Sequence, residues 1–417
     1  MLWPGAIYDG EAARQTYTEK ILSAAKAMNI QLQLRDQPIY SLEEAQGWIR
    51  QAQADSSDGL LVLLLDRQQH AWPSARLAAE SGLPTVIYSP LGTSFTTNTG
   101  PLADLPRCVL YSTNDFRQAI FGLKMLKASS RMHRTRSVVI AGNKRDQAPL
   151  ADTGITLQYI PVTRFLEEYQ KMPVSRAVTA MAEEYLARAR EQRGATREDV
   201  IQGIKSYLVA GRILQEEKAD AITMDCLGAL GKTQVSLPCI AWSRMNDVGI
   251  PAACEADFGA LATHIVVQYL FDRPGFQQDP VADTADDTLI GAHCSSPTRL
   301  NGFTSPPEPF DLVHHHGNRD AVPRTIWKIG QRVTCLSVQP ADMKTTSQSK
   351  LLISVGAVME NMDAPPSGGC VVSVKVKMDG KQRVLDFPGF HQLFFYGDYQ
   401  RELIDFCRLN HFKAQIV

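Results

Sequence analysis

The sequence lacks a long apolar run, an excess of either charge and any close pairing of cysteines, and each absence removes a class of function. Its longest uninterrupted apolar stretch, 60–65, is far shorter than the ~20 residues of a membrane-spanning helix. It predicts a buried strand, and no membrane partner is expected. Lys plus Arg number 43 against 44 for Asp plus Glu, which excludes the broad basic excess of a phosphate-backbone binder, so no nucleic-acid partner is expected either. The eight cysteines (Cys108, Cys226, Cys239, Cys254, Cys294, Cys335, Cys370 and Cys407) are scattered without a CxxC pair. Neither a zinc ribbon nor a disulfide scaffold is predicted, and thiols in a reducing cytoplasm are the default expectation. The first ten residues carry no basic segment ahead of a long apolar one, so no secretory signal is predicted. Neither GxGxxG nor GxxxxGK[ST] occurs, which leaves nucleotide phosphates without a sequence argument.

What is there is globular: 417 residues, 44% apolar and 21% charged, a length for two to four domains. Up to about residue 130, short apolar runs (6–8, 60–65, 85–88) alternate with amphipathic stretches (11–28, 72–81). That alternation predicts a parallel sheet covered by helices, Rossmann-like in layout. A basic stretch at 127–136 reads as a solvated link and sets the first boundary, giving a domain 1–130. A second α/β domain, 131–284, has strands at 137–140, 219–224 and 250–255 and helices at 175–191 and 197–217, the latter with Thr196 as N-cap and Asp199 three residues on. Asp257 opens one more helix, ending near Leu270. Beyond 285, Val, Thr and Ser alternate with polar residues and helical periodicity returns only at 398–409. The region 285–417 is therefore predicted as a mainly antiparallel β domain with a terminal helix, behind two Rossmann-like doubly wound domains.

Four potential metal ligands fall where strands end or loops begin: Glu255 in Ala-Cys-Glu-Ala-Asp, Asp283 in Val-Ala-Asp-Thr, His293 in Gly-Ala-His-Cys and His391 in Pro-Gly-Phe-His-Gln. Two carboxylates with two imidazoles suit Mn²⁺, Fe²⁺, Co²⁺ or Zn²⁺ better than Ca²⁺. Any one such Asp or His is more often exposed or structurally satisfied than a ligand. Three neighbouring histidines, His314, His315 and His316, also invite a metal reading, but alternation along a strand lets at most His314 and His316 share an ion.

The segments 251–261, 281–283, 290–297 and 391–399 together resemble the L-fucose isomerase and L-arabinose isomerase superfamily, over about residues 220–417. The resemblance implies a divalent ion, usually Mn²⁺, held by Glu255, Asp283 and His391, with His293 as a fourth ligand from the arabinose branch. It also implies a trimer or hexamer and a free sugar as substrate. Aldose–ketose interconversion passes a proton between C1 and C2 through a cis-enediol, whose oxyanion needs a Lewis acid. Two acidic groups move the proton, so Glu255 and Asp283 are expected to act as acid/base as well as ligands. Asp225 is a candidate sugar contact, and Trp242 and Arg244 could stack on or hydrogen-bond a polyol. One departure concerns the residue before His391: it is Phe390, where the family's branches have Asn or His, so a polar contact to the sugar is missing. Two competing readings are a metal-dependent hydrolase or lyase acting on a glycoside or modified sugar with the same ligands, and a non-catalytic sugar-binding protein.

Overall fold

The computed structural model describes residues 9–65, 71–315, 319–341, 348–363, 371–380 and 383–417. The strand expected at 6–8, His316 and Cys370 lie outside them. Contacts divide the chain into two units, Met1–Arg131 with Ile404–Phe412, and Met132–Leu403 with Lys413–Val417.

In the first unit two of the expected runs, Leu60–Leu63 and Thr85–Ser89, pair in parallel, and a strand the sequence reading did not name, Cys108–Ser112, completes the sheet in sequence order. The helices Gly10–Ala27 and Leu42–Ala54 begin where Asp9 and Ser41 accept a backbone N–H with their side chains. The basic stretch 127–136 is not a solvated link. Its first part completes the helix Arg117–Arg134, because no Gly or Pro interrupts it and Ala128 and Met132 extend the buried stripe of Leu123 and Met125.

The second unit joins a five-stranded sheet to a barrel. The sheet runs in the order Asp146–Pro149, Thr156–Ile160, Arg136–Ile140, Ala221–Met224, Ala252–Cys254, parallel except for the first strand. The helix Arg197–Glu217 starts at the expected capping box of Thr196 and Asp199. The barrel closes through Arg332–Gln339, Gln392–Tyr396, Phe276–Asp283, Thr288–His293, Val372–Met378 and Lys350–Met362, the last pairing back to the first and every pair antiparallel. Closure leaves no open edge; Lys413–Ile416 adds a parallel strand outside the ring. The boundary predicted at 284/285 falls in the turn between two paired barrel strands, and sheet and barrel share one unit.

The chain is thus mixed α/β, with parallel sheets and a closed antiparallel barrel. Between sheet and barrel runs the helix Phe258–Phe271, buried at every residue from Ala260 to Phe271. It packs on Ala221–Met224 and Ala252–Cys254 of the sheet and on Arg332–Gln339 and Gln392–Tyr396 of the barrel, which explains why its sequence is apolar on all sides. Among the described residues no helix is long and apolar enough to cross a membrane.

Candidate metal centre

The start of that buried helix is also where the polar groups meet. The strand Ala252–Cys254 ends at Glu255 and Ala256, both in the left-handed region with φ of 64° and 52°, a conformation costing non-glycine residues roughly 1–2 kcal/mol each. Such strain collects at functional sites when the surroundings over-determine it. Here Ala256 N–H is tied to the Met224 carbonyl at 2.9 Å, and Asp257 caps the helix by accepting from Ala260 N–H at 2.7 Å. The kink turns the Glu255 carboxylate toward two histidines from the barrel.

His391 immediately precedes the strand Gln392–Tyr396, and His293 ends the strand Thr288–His293. They are 5% and 1% exposed, with ring centroids 5.4 Å apart. Glu255 Oε2 lies 3.5 Å from His391 Nε2, and Glu255 Oε1 lies 3.8 Å from His293 Nε2. Asp279, from the strand Phe276–Asp283, brings Oδ1 to 3.0 Å from His391 Nε2. That approach is not a directed hydrogen bond: Asp279 Oδ1, His391 Nε2 and His293 Nε2 are all buried without a hydrogen-bond partner. Buried polar atoms are ordinarily satisfied, so three orphaned acceptors or donors converging beside a carboxylate are what a coordinating cation would relieve. Behind them the Asp257 carboxylate holds His391 Nδ1 at 3.0 Å, the orienting contact that metal-binding imidazoles commonly have. Glu255, His293 and His391 are close enough together to hold a metal ion.

Burial and charge set the protonation of the group. Burial pushes the His293 imidazole down to about 4. Burial also acts against charge on His391, but the carboxylates of Asp257 and Asp279 outweigh it and push this imidazole up to about 9. Burial raises the Glu255 carboxyl above its ordinary value, with the His391 charge acting in the other direction. Burial works the same way on Asp257, but the hydrogen bonds from His391 and the Ala260 N–H prevail and keep its carboxyl below its ordinary value.

The structure brings together Glu255, His293 and His391 of the predicted ligands, but not Asp283. That carboxylate is held by Lys375 Nζ at 2.8 Å and accepts from Ala285 N–H; the Lys375 contact keeps it below its ordinary value. The residue at the cluster is Asp279, four positions earlier on the same strand. Asp225 does lie at the end of the strand Ala221–Met224, where it caps a short helix through Gly228 N–H at 3.1 Å. Trp242 is fully buried in the helix Cys239–Asp247, and the Arg244 guanidinium covers the rings of Tyr185 and Tyr207 at 5.3 and 5.0 Å. Trp242 is thus claimed by the core, and Arg244 is half-buried against two tyrosines. His314 turns to Asp199 at 3.1 Å, and His316 lies outside the described residues.

Sequence reasoning missed Asp257, Asp279, His315 and a set of thiols. Cys226, Cys239, Cys254 and Cys294 line one cavity of about 160 Å³ together with Glu255 and His315, although no two of them are close in sequence. For Asp257 a signal existed in the Glu-Ala-Asp run opening a helix; for the others it lay in strand register. No protein-family model matches the chain, and no curated protein matches it.

Proposed function

We propose that the second unit binds a divalent metal ion, Mn²⁺ in the first instance, through Glu255, Asp279, His293 and His391, and interconverts an aldose and a ketose. The observation that carries this reading is the cluster of buried polar atoms beside the Glu255 carboxylate: Asp279 Oδ1 and His391 Nε2 face each other at 3.0 Å without a directed hydrogen bond, and His293 Nε2 has no hydrogen-bond partner. A mixed set of two carboxylates and two imidazoles fits a borderline or hard divalent cation, which supplies Lewis-acid stabilisation to an oxyanion developing on a bound sugar.

The protein's own groups do the rest. Glu255, its carboxyl raised by burial, is suited to take a proton from one sugar carbon and return it to the next, since such a base works best when its affinity approaches the working pH. Asp257 fixes the His391 ring, so that Nε2 faces the cluster. Phe390 is 64% exposed and its ring centroid stands 4.5 Å from that of His391, offering an apolar face at the position where the resembling family places a polar side chain. We read the two parallel sheets as the Rossmann-like parts of that family's architecture.

The test is solvent exchange. The Mn²⁺-loaded protein and a Glu255→Gln variant are incubated with a panel of aldoses and ketoses in D₂O, and replacement of C–H by C–D is followed by NMR. Exchange that needs the ion and falls on the order of 10²–10⁴-fold in the variant, the size of a lost general base, is expected. Absence of exchange with every sugar, despite one bound ion per chain, refutes isomerisation and turns attention to hydrolysis or elimination on glycosides and modified sugars.

A further inference from the structure

A second cluster adjoins the first and has a different chemistry. Cys239 opens the helix Cys239–Asp247, Cys294 follows the strand Thr288–His293, and His315 ends the strand Phe310–His315. One ligand atom from each lies within 4.8 Å of the other two, and all three residues are buried. Cys254 and Cys294 also bring ligand atoms within 4.8 Å of each other, and with Cys226 and Cys239 these thiols from four separate parts of the chain line one cavity. His315 faces the same cavity of about 160 Å³, which Glu255 borders.

Cysteine is a common core residue and packs as a small apolar group. That role does not account for this arrangement. Packing asks for contact among side chains, whereas here the thiols and an imidazole leave a cavity in front of them. A tetrahedral ion with Zn–S near 2.3 Å and Zn–N of 2.0–2.1 Å sets its ligand atoms about 3.5–3.8 Å apart, so a triad within 4.8 Å has to close by at most about 1.3 Å.

We propose that Cys239, Cys294 and His315 form a second metal site, selective for a thiophilic d¹⁰ ion, with Zn²⁺ the natural occupant and its fourth position open to the cavity. Thiolate and imidazole ligands select such an ion, whereas the carboxylate-rich group at Glu255 suits Mn²⁺. On binding, each of the two thiols gives its proton to solvent and its sulfur forms a metal–sulfur bond, with no change of oxidation state. Three protein ligands and an open position form the pattern of reactive rather than purely structural zinc. Its ligands are not residues of the sugar-isomerase reading, Glu255, Asp279, His293 and His391, although the Cys294 sulfur lies 3.5 Å from His293 Nδ1.

The experiment uses the full chain, reduced and stripped of metal, saturated with Mn²⁺ and then titrated with Cd²⁺ alone. The expected result is an ultraviolet thiolate-to-Cd²⁺ charge-transfer band that saturates at one equivalent. Cys239→Ala and Cys294→Ala each reduce it by about half, as loss of one of two thiolate ligands requires. Glu255→Gln and Cys108→Ala leave it unchanged; the first of these separates this site from the Mn²⁺ centre. X-ray absorption of the Zn²⁺-loaded wild type needs no substitution and should show two sulfur neighbours near 2.3 Å. No band at several equivalents of Cd²⁺, a band indifferent to both cysteine variants, or a zinc shell of nitrogen and oxygen only would overturn the proposal.

Discussion

Acid should loosen the second unit through a residue that belongs to neither candidate metal site. His264 sits in the middle of the helix Phe258–Phe271 and is 1% exposed. Burial, assisted by the nearby His293 and only partly opposed by Gln277, pushes its imidazole down to about 3 from an ordinary 6.5. The folded state therefore keeps this ring neutral where the unfolded chain would protonate it. A depressed value means that the stabilisation is complete above the unfolded pKa and is lost progressively as the pH falls toward the folded one. At about pH 5 an imidazole of ordinary pKa is protonated roughly thirtyfold over neutral, while the buried ring remains neutral. At 1.36 kcal/mol per decade, one and a half decades amount to ~2 kcal/mol. The assay is urea unfolding of the metal-free chain at pH 7 and pH 5, with Trp3, Trp48 and Trp72 replaced by Phe. Trp242 and Trp327, both fully buried, then report on the second unit alone. His264→Gln removes the titrating group at similar volume, so between the two pH values it should lose ~2 kcal/mol less than its parent. Groups common to both proteins, including His293, cancel in that comparison. A difference below about 0.5 kcal/mol, within the ordinary scatter of independent substitutions, would refute the assignment of acid sensitivity to His264.

Asp279→Asn should abolish Mn²⁺-dependent hydrogen exchange in the sugar assay, whereas Asp283→Asn should keep it within about threefold, because that carboxylate is engaged by Lys375 and the Ala285 N–H, away from the cluster to which Asp279 belongs. Asp311 is fully buried beneath Arg190, Arg193 and Arg324; Asp311→Asn should lower the urea-unfolding free energy by about 3 kcal/mol, the low end for an unpaired buried charge, since Arg324 keeps Asp363 and the Met362 carbonyl. A Cβ added at Gly291 would lie 2.5 Å from Phe394 Cε2 inside the barrel wall, so Gly291→Ala should cost about 2 kcal/mol by overpacking, read as a lowered urea midpoint with unchanged slope.

Local signals were legible wherever local chemistry decides the outcome. The helix at 197–217 is found with its capping box because Thr196 and Asp199 satisfy each other's orphan donors within one turn. Parallel strands at 60–63, 85–89 and 136–140 follow from short apolar runs between turns. The antiparallel character beyond residue 285 was visible too. Closure was not: a barrel is decided by the pairing of Arg332–Gln339 with Lys350–Met362 and with Gln392–Tyr396, and alternation says only that each strand has two faces. The cysteines show the same limit more sharply. Cysteine spacing along the chain argued against a zinc ribbon, yet Cys239, Cys294 and the middle member of the histidine run meet because the start of the helix Cys239–Asp247 and the ends of the strands Thr288–His293 and Phe310–His315 come to one place.

The exchange of Asp283 for Asp279 shows what decides such a site. Both carboxylates lie on one face of the strand Phe276–Asp283, so alternation cannot tell them apart, and at 3.3–3.4 Å per residue they stand about 13 Å apart. Their height is set by register. Gln278 pairs with Gln392, which puts Asp279 level with His391, one step beyond the last pair. On the other side Asp279 pairs with Ala292, so His293 stands one step beyond that pair. The two histidines therefore mark where the strand Phe276–Asp283 switches its pairing from Gln392–Tyr396 to Thr288–His293, and Asp279 is the carboxylate at that height. The sheet contributes Glu255 at the corresponding place, just past the end of Ala252–Cys254. A carboxylate at the far end of the same strand has no route to this meeting point, however well its local sequence matches a ligand motif. Lys375, paired across from Ile290 on the neighbouring barrel strand, binds Asp283 instead. Register, which is a property of pairs of strands, thus places one aspartate beside His391 and the other in an ion pair with Lys375.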